Sequence, residues 1–411
     1  MSVATNAPSD DPSPAGPQLT EDEVVARAER LARTLVDRQA ETEQRTFYAE
    51  DVHEQFRAAG FYRILVPRRF GGHEFSAETF LRVSTALARG CPSTGWMYCL
   101  GAAHALAAAT FFDERAQTEL FADGDFISPA TINPSGSARR ADDGGWIIRG
   151  TWPYCSGAPY ATHFIGHTIV ESAQGAPGTP LLFIIPRSGW TMLNDWGDQL
   201  GLQGSGSHSI RIDDAYVPPH HALESVHLSE MDVSRGTVGR RLHGNPEYGG
   251  GPLSFMLLES ASLAVGMAQG ALDAYEELMR TRKTMFAAVL RAEDPDYQLW
   301  YGQAGGMIAA AEAAVRNAAQ QWSAVCAAGP SAFTREQDLR IATICREVIR
   351  LCWQAVEGYL FRTAGSSSVR LGSRIERVWR DMSTLHSHVG VGVLLASVAT
   401  REFTKARFGV R

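Results

Sequence analysis

Trp146-Ile147-Ile148-Arg149-Gly150-Thr151-Trp152 places Trp146, Ile148, Gly150 and Trp152 on one face, the two-residue period of a strand with one side in a core. Three further strand-like runs follow at 164–170, 181–186 and 209–217, with turn signals at Asp143-Gly144 and Pro177-Gly178. Outward from this island the pattern is helical, up to about Phe126 on one side and again from about Pro252 on the other. The expectation is an α+β chain: an N-terminal α-helical domain over 20–125, a central antiparallel β domain over 126–219 and a C-terminal four-helix bundle over 252–411. Residues 1–19 read as a disordered tail, and 220–251 as a long connecting loop that packs over something.

The helical segments carry their own start and stop signals. Thr20 with Glu23 forms a capping box ahead of Val24, Ala28, Leu31 and Leu35. A second helix over 52–59 stops at Gly60, and Ser76 is placed to cap a third that runs through Phe80, Val83 and Leu87. Beyond Pro92, Ser93 or Thr94 is expected to start one long apolar helix bearing Trp96 and His104. Four helical blocks, 253–283, 297–327, 334–361 and 375–407, suit an antiparallel bundle, the third opened by Thr334 with Gln337.

The 411 residues carry a formal net charge of -7, which offers no basic footprint for nucleic acid. Six cysteines without a CxxC pair favour reduced thiols in a cytoplasmic setting, and no metal site is expected. The first residues lack the basic and apolar regions of a signal peptide, and the apolar run 96–112 is short for a membrane span and contains His104. No GxGxxG follows a strand, so a Rossmann half is absent and any reduced nicotinamide must be oxidised by another protein.

Gly60-Phe61-Tyr62 to Pro67, followed by Phe70-Gly71-Gly72, resembles the N-terminal signature of acyl-CoA dehydrogenase-like proteins. Within that superfamily four stretches resemble the flavin-dependent monooxygenases that hydroxylate phenols, such as 4-hydroxyphenylacetate hydroxylases and steroid-catabolic phenol hydroxylases. They are Cys91-Pro92-Ser93-Thr94-Gly95-Trp96 with His104, Trp152-Pro153-Tyr154-Cys155-Ser156-Gly157, Gly201-Leu202-Gln203-Gly204-Ser205-Gly206-Ser207, and Val378-Trp379-Arg380-Asp381 with His388. The resemblance implies the oxygenase component of a two-component system. Such a protein takes reduced flavin (FMNH2 or FADH2) from a separate NAD(P)H-dependent flavin reductase and, with O2, hydroxylates a small aromatic substrate through a C4a-hydroperoxide. It also implies a homotetramer.

The same resemblance assigns residues. Ser156, on its own a Ser-Gly turn, would offer hydroxyl and backbone N–H to the flavin N5 edge, with Trp152 and Gly157 beside it. His104, otherwise a core histidine, would take the substrate hydroxyl as a base, with Trp96 and Thr131 also lining the substrate. His388 would face the flavin, with His386 two positions earlier as the competing imidazole. Arg282, or Arg280, would meet the flavin phosphate, Arg380 is a further cofactor contact, and the run 365–368 would approach the cofactor.

Rival readings remain. An acyl-CoA dehydrogenase needs a catalytic carboxylate, and the stretch 382–392 contains neither Glu nor Asp. N- or S-oxygenating relatives and a flavin-holding protein without turnover share the same frame. For the substrate, Arg240 or Arg241 would suit a carboxylate-bearing phenol, and Phe255 and Met256 a polycyclic one.

Overall fold

The computed structural model describes residues 19–171 and 178–410, so the expected tail, apart from Leu19, and Pro177 of the Pro177-Gly178 turn lie outside the described residues. The N-terminal region holds α1 (Glu21–Leu35), α2 (Gln39–Arg45), α3 (Glu50–Ala59), α4 (Ala77–Gly90), α5 (Pro92–Ala102), α6 (Ala105–Phe111) and α7 (Glu114–Leu120). Thr20 Oγ1 accepts from Glu23 N at 3.2 Å and Ser76 Oγ from Thr79 N at 3.2 Å, so both expected caps form. At α5 it is Pro92 itself that takes the first helical position, behind Cys91, where a missing N–H costs nothing.

The expected long apolar helix is two helices. Ser128 N donates to Gly101 O at 2.7 Å, drawing that carbonyl out of the helical ladder, and His104 occupies the junction between α5 and α6.

The β domain is one seven-stranded sheet of β1 (Ser137–Arg140), β2 (Trp146–Trp152), β3 (His163–Val170), β4 (Pro180–Pro186), β5 (Thr191–Met192), β6 (Ile210–Val217) and β7 (Ala222–Glu224). Its order is β5-β6-β2-β1-β3-β4-β7. The expectation of an antiparallel sheet needs one correction, because β1 pairs β3 in parallel: β2 already holds one edge of β1 and β6 holds the far edge of β2. The alternation read from the sequence divides the faces. Trp146, Ile148, Trp152, Phe164, Phe183 and Ile185 fill a core of their own, while Ile165, Leu182 and Ile184 face the helices. Gly150, with φ +152, sits at a bulge where a Cβ would stand 2.5 Å from Gly136 Cα.

The connection is not featureless. It contains β7 and α8 (Val238–His243), and it is tied down by Tyr248 Oη donating to Leu65 O at 3.1 Å and Arg240 Nη1 donating to Cys326 O at 2.5 Å.

The bundle is α9 (Pro252–Thr281), α10 (Pro295–Ala328), α11 (Arg335–Ala355) and α12 (Arg374–Ser387), close to the four blocks read from the sequence. α9 is long and apolar enough to cross a bilayer, but 78% of that apolar window is buried among its neighbours. The fourth block is not one helix: after α12 the chain bends by 57° and resumes as a π-helical turn series (Gly390–Ala399) and α13 (Thr400–Phe408). His388 sits at the break, extended at φ -61 and ψ 137. All six cysteines are buried and free.

Candidate active site

α5 is the spine on which the site is assembled. The turn after β2 has Tyr154 at φ 61 and Gly157 at φ 96, both left-handed. A Cβ on Gly157 would meet Gly101 Cα at 3.2 Å and Met97 O at 3.3 Å, so this turn lies flush on α5 and only glycine fits without displacement. Seated there, Ser156 Oγ receives Trp96 Nε1–H at 2.9 Å and lies 2.7 Å from Ser207 Oγ, which is itself 2.7 Å from Ser205 Oγ. All four side chains are buried.

A hydroxyl has one proton and two acceptor lone pairs. If the chain runs Ser205 to Ser207 to Ser156, the Ser156 oxygen accepts from both Ser207 and Trp96 and keeps its own proton to donate outward, and each link polarises the next. The expected backbone donor is corrected, because Ser156 N already donates to Tyr154 O at 3.0 Å within the turn.

The Trp96 ring also meets His388, edge to face with centroids 5.5 Å apart. Gly390 N donates to His388 Nδ1 at 3.2 Å, which makes Nδ1 an acceptor and leaves the proton of the neutral ring on Nε2. The ring opens to solvent on one side in the single chain, yet its packed side desolvates it enough to lower its pKa. His386 instead stacks on Trp353 at 5.2 Å on the exposed side of the bundle. Of the two imidazoles, His388 is the one against Trp96.

The loop that presents Ser205 and Ser207 is stapled to α12. Asp381 Oδ1 accepts from Leu202 N at 2.5 Å, and a Cβ on Gly201 would stand 2.1 Å from Arg380 O. Burial raises the Asp381 carboxyl to about 7. Arg380 donates to Glu376 at 2.5 Å, Glu43 at 2.8 Å and Leu200 O at 3.0 Å. Its guanidinium is thus committed to protein groups, and the expectation that it touches a cofactor is corrected to a positioning role. Trp152 is likewise turned away: its ring is fully buried in the sheet's own core, with Nε1 donating to His167 O at 2.8 Å. It fixes the strand from which the Ser156 turn departs.

His104 lies just beyond the C-terminal end of α5, at its junction with α6. Its Nδ1–H donates to Ser128 O at 2.7 Å, which leaves the Nε2 lone pair of the neutral ring as an acceptor, and burial lowers its pKa. It lines a narrow cavity of about 20 Å³ with Phe111, Leu228, Phe255, Met256 and Trp322. A second lining group had not been singled out from the sequence: Glu259 on α9, 1% exposed, raised by burial to about 8. A carboxyl inside the apolar run of α9 was the available signal. A wider cleft of about 630 Å³, open to solvent, runs between α1, α4, α9 and α10, but it contains none of the residues around Ser156.

Thr131 is not among the residues that line the His104 cavity. Its carbonyl accepts from His167 Nδ1 at 2.6 Å, and its Oγ1 is buried without a partner. Arg282 and Arg280 are exposed at the end of α9, Arg280 paired with Glu276 at 3.0 Å, and the structure does not bring either to Ser156 within one chain. In the run 365–368, Ser368 Oγ is buried and unpartnered. Glu119, His220 and His221 cluster apart from the site, His220 Nε2 hydrogen-bonding a Glu119 carboxylate oxygen at 2.9 Å and His221 Nε2 lying 3.1 Å from the same oxygen, with burial lowering the His221 pKa.

Residues 19–117 match the family model described as the acyl-CoA dehydrogenase N-terminal domain, and residues 258–392 match that of an acyl-CoA dehydrogenase C-terminal domain. A pigment production hydroxylase of Rhodococcus sp. is 26% identical over 94% of this chain and 97% of its own. The flavin-dependent monooxygenase oxygenase subunit HsaA of Rhodococcus jostii is 27% identical over 86% and 91%. The oxygenase component of an FADH2-dependent resorcinol hydroxylase from Rhizobium sp. is 28% identical over 82% of each chain. Among solved structures, the 3-HSA hydroxylase from Rhodococcus sp. superposes with a TM-score of 0.85 at 25% identity, covering 95% of this chain and 98% of that one. XiaF from Streptomyces sp., solved with FADH2, shares the fold at a TM-score of 0.85 and 23% identity.

Proposed function

The chain belongs to the acyl-CoA dehydrogenase-fold family, among the oxygenase components of two-component flavin-dependent monooxygenases, and from that premise we propose that it hydroxylates a phenolic substrate between Ser156 and His104. Reduced flavin, when bound, supplies the activation of O2 for transfer to the arene. The remaining work belongs to the chain. The observation that carries this reading is the buried hydroxyl relay of Ser205, Ser207 and Ser156, which, run toward Ser156, frees the Ser156 proton beside Trp96, whose ring in turn meets His388. A preorganised donor in a dry pocket suits the N5 edge of a flavin, and the relay needs no rearrangement to serve it.

His388, with its proton on Nε2, is placed to hold a proton at the oxygen-facing side, and His104, with a free Nε2 lone pair, to accept one from a phenol hydroxyl. The phenolate is the more nucleophilic form. Trp96 serves both ends, since its indole N–H orients Ser156 and its ring walls off His388.

A separate NAD(P)H-dependent flavin reductase is the partner this reading requires. Exposed Met285 and Phe286, beside Arg282 at the tip of the Lys283–Leu290 bridge, support an assembly such as a homotetramer in which Arg282 reaches a neighbour's flavin phosphate. Six free thiols support a cytoplasmic location. The test mixes the protein and reduced flavin with oxygenated buffer and a phenol. Delayed return of oxidised-flavin absorbance together with hydroxylated product is expected; return at the free-solution rate without product refutes the proposal.

A further inference from the structure

One cluster outside the reaction site has the composition of a metal centre. Glu119 stands in the last turn of α7, and His220 and His221 in the tight turn Pro219–His221 that joins β6 to β7. Glu119 and His220 are 101 positions apart, so no ligand spacing in the sequence announces them. The fold brings one Glu119 carboxylate oxygen to 2.9 Å from His220 Nε2 and 3.1 Å from His221 Nε2. The two rings meet edge to face with centroids 4.6 Å apart, and the three ligand atoms lie within 4.8 Å of one another.

Hydrogen bonding accounts for only part of this arrangement. His220 Nε2 bonds the carboxylate, but His221 is 7% exposed and neither of its ring nitrogens has a hydrogen-bond partner among the described residues. Its Nε2 is close to the oxygen without the alignment of a hydrogen bond, which is how two ligands stand when both face a third point. A buried imidazole with no bond costs free energy, and a bound ion removes that cost. Pro218 and Pro219 stiffen the turn, in which His221 N donates to Pro218 O at 3.0 Å, so the imidazoles are in place before any ion arrives. Arg115 Nε lies 3.3 Å from the other Glu119 oxygen; its side chain is largely exposed, so water screens its charge while the bond orients the carboxylate.

We propose that Glu119, His220 and His221 bind one divalent cation of the zinc class through the carboxylate Oε2 and the two Nε2 atoms, with water as the fourth ligand. A tetrahedral set at about 2.0–2.1 Å from zinc keeps its ligand atoms about 3.3 Å apart. The observed 2.9 and 3.1 Å therefore need to open by only a few tenths of an ångström. Two imidazole nitrogens beside one carboxylate select zinc, cobalt or nickel over magnesium and calcium, which take oxygen ligands. The ion ties α7 of the helical domain to the β6–β7 connection of the sheet, so its contribution is to stability rather than to turnover.

The test uses the full chain, made without a histidine tag, stripped with a chelator and dialysed. Calorimetric titration with zinc chloride should show one ion per chain with a Kd of about 1 µM. Zinc at about a hundredfold over that Kd should raise Tm by about 3 °C. Cobalt(II) should give the strong visible absorption of a four-coordinate ion rather than the weak bands of a six-coordinate one. Glu119→Gln and His221→Gln should each weaken zinc by about a hundredfold and cancel the rise in Tm, whereas His386→Gln, at an exposed histidine of the bundle, should change neither. Glu119 is exposed, so Glu119→Gln keeps the fold even where His221→Gln does not. No binding at about 100 µM zinc, or zinc binding that Glu119→Gln leaves intact, overturns the site. Binding without any rise in Tm overturns its role as a tie between helix and sheet.

Discussion

Ser156→Ala removes the one hydroxyl that joins Trp96 to the Ser207–Ser205 chain. The expected result is flavin oxidation in air about tenfold faster, with hydrogen peroxide released in place of product, which stopped-flow absorbance and peroxide assay would read. His104→Ala should separate from it: product falls by about a hundredfold while the delay in flavin oxidation is kept, because His104 touches only the substrate end. Equal loss of both would contradict that division. For His388, a proton on Nδ1 would abolish the bond from Gly390 N, and its lowered pKa keeps it neutral at pH 7. Product yield per flavin should therefore hold at neutral pH and fall only with a midpoint below 6.5, and His388→Gln should erase that limb. Ser156, His104 and His388, to which the proposed function gives this chemistry, were singled out through motif resemblance. Ser205 and Ser207 stood inside one of those motifs with no role attached, because their partner Ser156 is distant in sequence. Glu259 was missed for a different reason: nothing in a sequence says that a buried carboxyl lacks a partner.

At the scale of elements, the helical and strand periods located nearly every unit, and the errors fall where long-range hydrogen bonds and helix ends overrule the period. His104 was read inside a continuous helix, yet the Ser128 bond to Gly101 O breaks it there. His388 was weighed against His386 as if both rode one helix, yet His388 lies beyond its end, which is why only it turns toward Trp96. Arg380 was given to the cofactor by motif, and the structure gives it to Glu376, Glu43 and Leu200 O. This yields a test of element-level role. Arg380→Ala leaves the buried Glu376 without its cation, while Glu43 keeps Arg377 at 3.0 Å, and should lower stability by about 3 kcal/mol in urea denaturation, with the 200–207 loop loosened. Unchanged stability with weakened flavin binding would restore the cofactor role.

For the whole molecule, the sheet is held against the helices partly by His167, whose Nδ1–H donates to Thr131 O while Nε2 accepts from Leu228 N at 3.1 Å. Burial lowers its pKa from 6.5 to about 4. The unfolded chain takes up this proton first, so the neutral ring favours folding above pH 6.5, and that contribution is lost as pH falls toward 4. Tm should drop along this window, and His167→Gln should flatten the drop; an unchanged acid limb would place the acid sensitivity elsewhere. The order of helical, sheet and bundle regions was readable because two changes of hydrophobic period mark it. The parallel β1–β3 pairing was not, since pairing direction leaves no local trace. Everything converges on one claim, that Ser156, Trp96 and His388 hold a reduced flavin for oxygen transfer to an arene. Rapid mixing of the protein and reduced flavin with O2 and a phenol, followed by product analysis under ¹⁸O2, tests it most directly. Delayed flavin reoxidation with one ¹⁸O atom in the product is predicted, and free-solution reoxidation with all of the oxygen recovered as peroxide would contradict it.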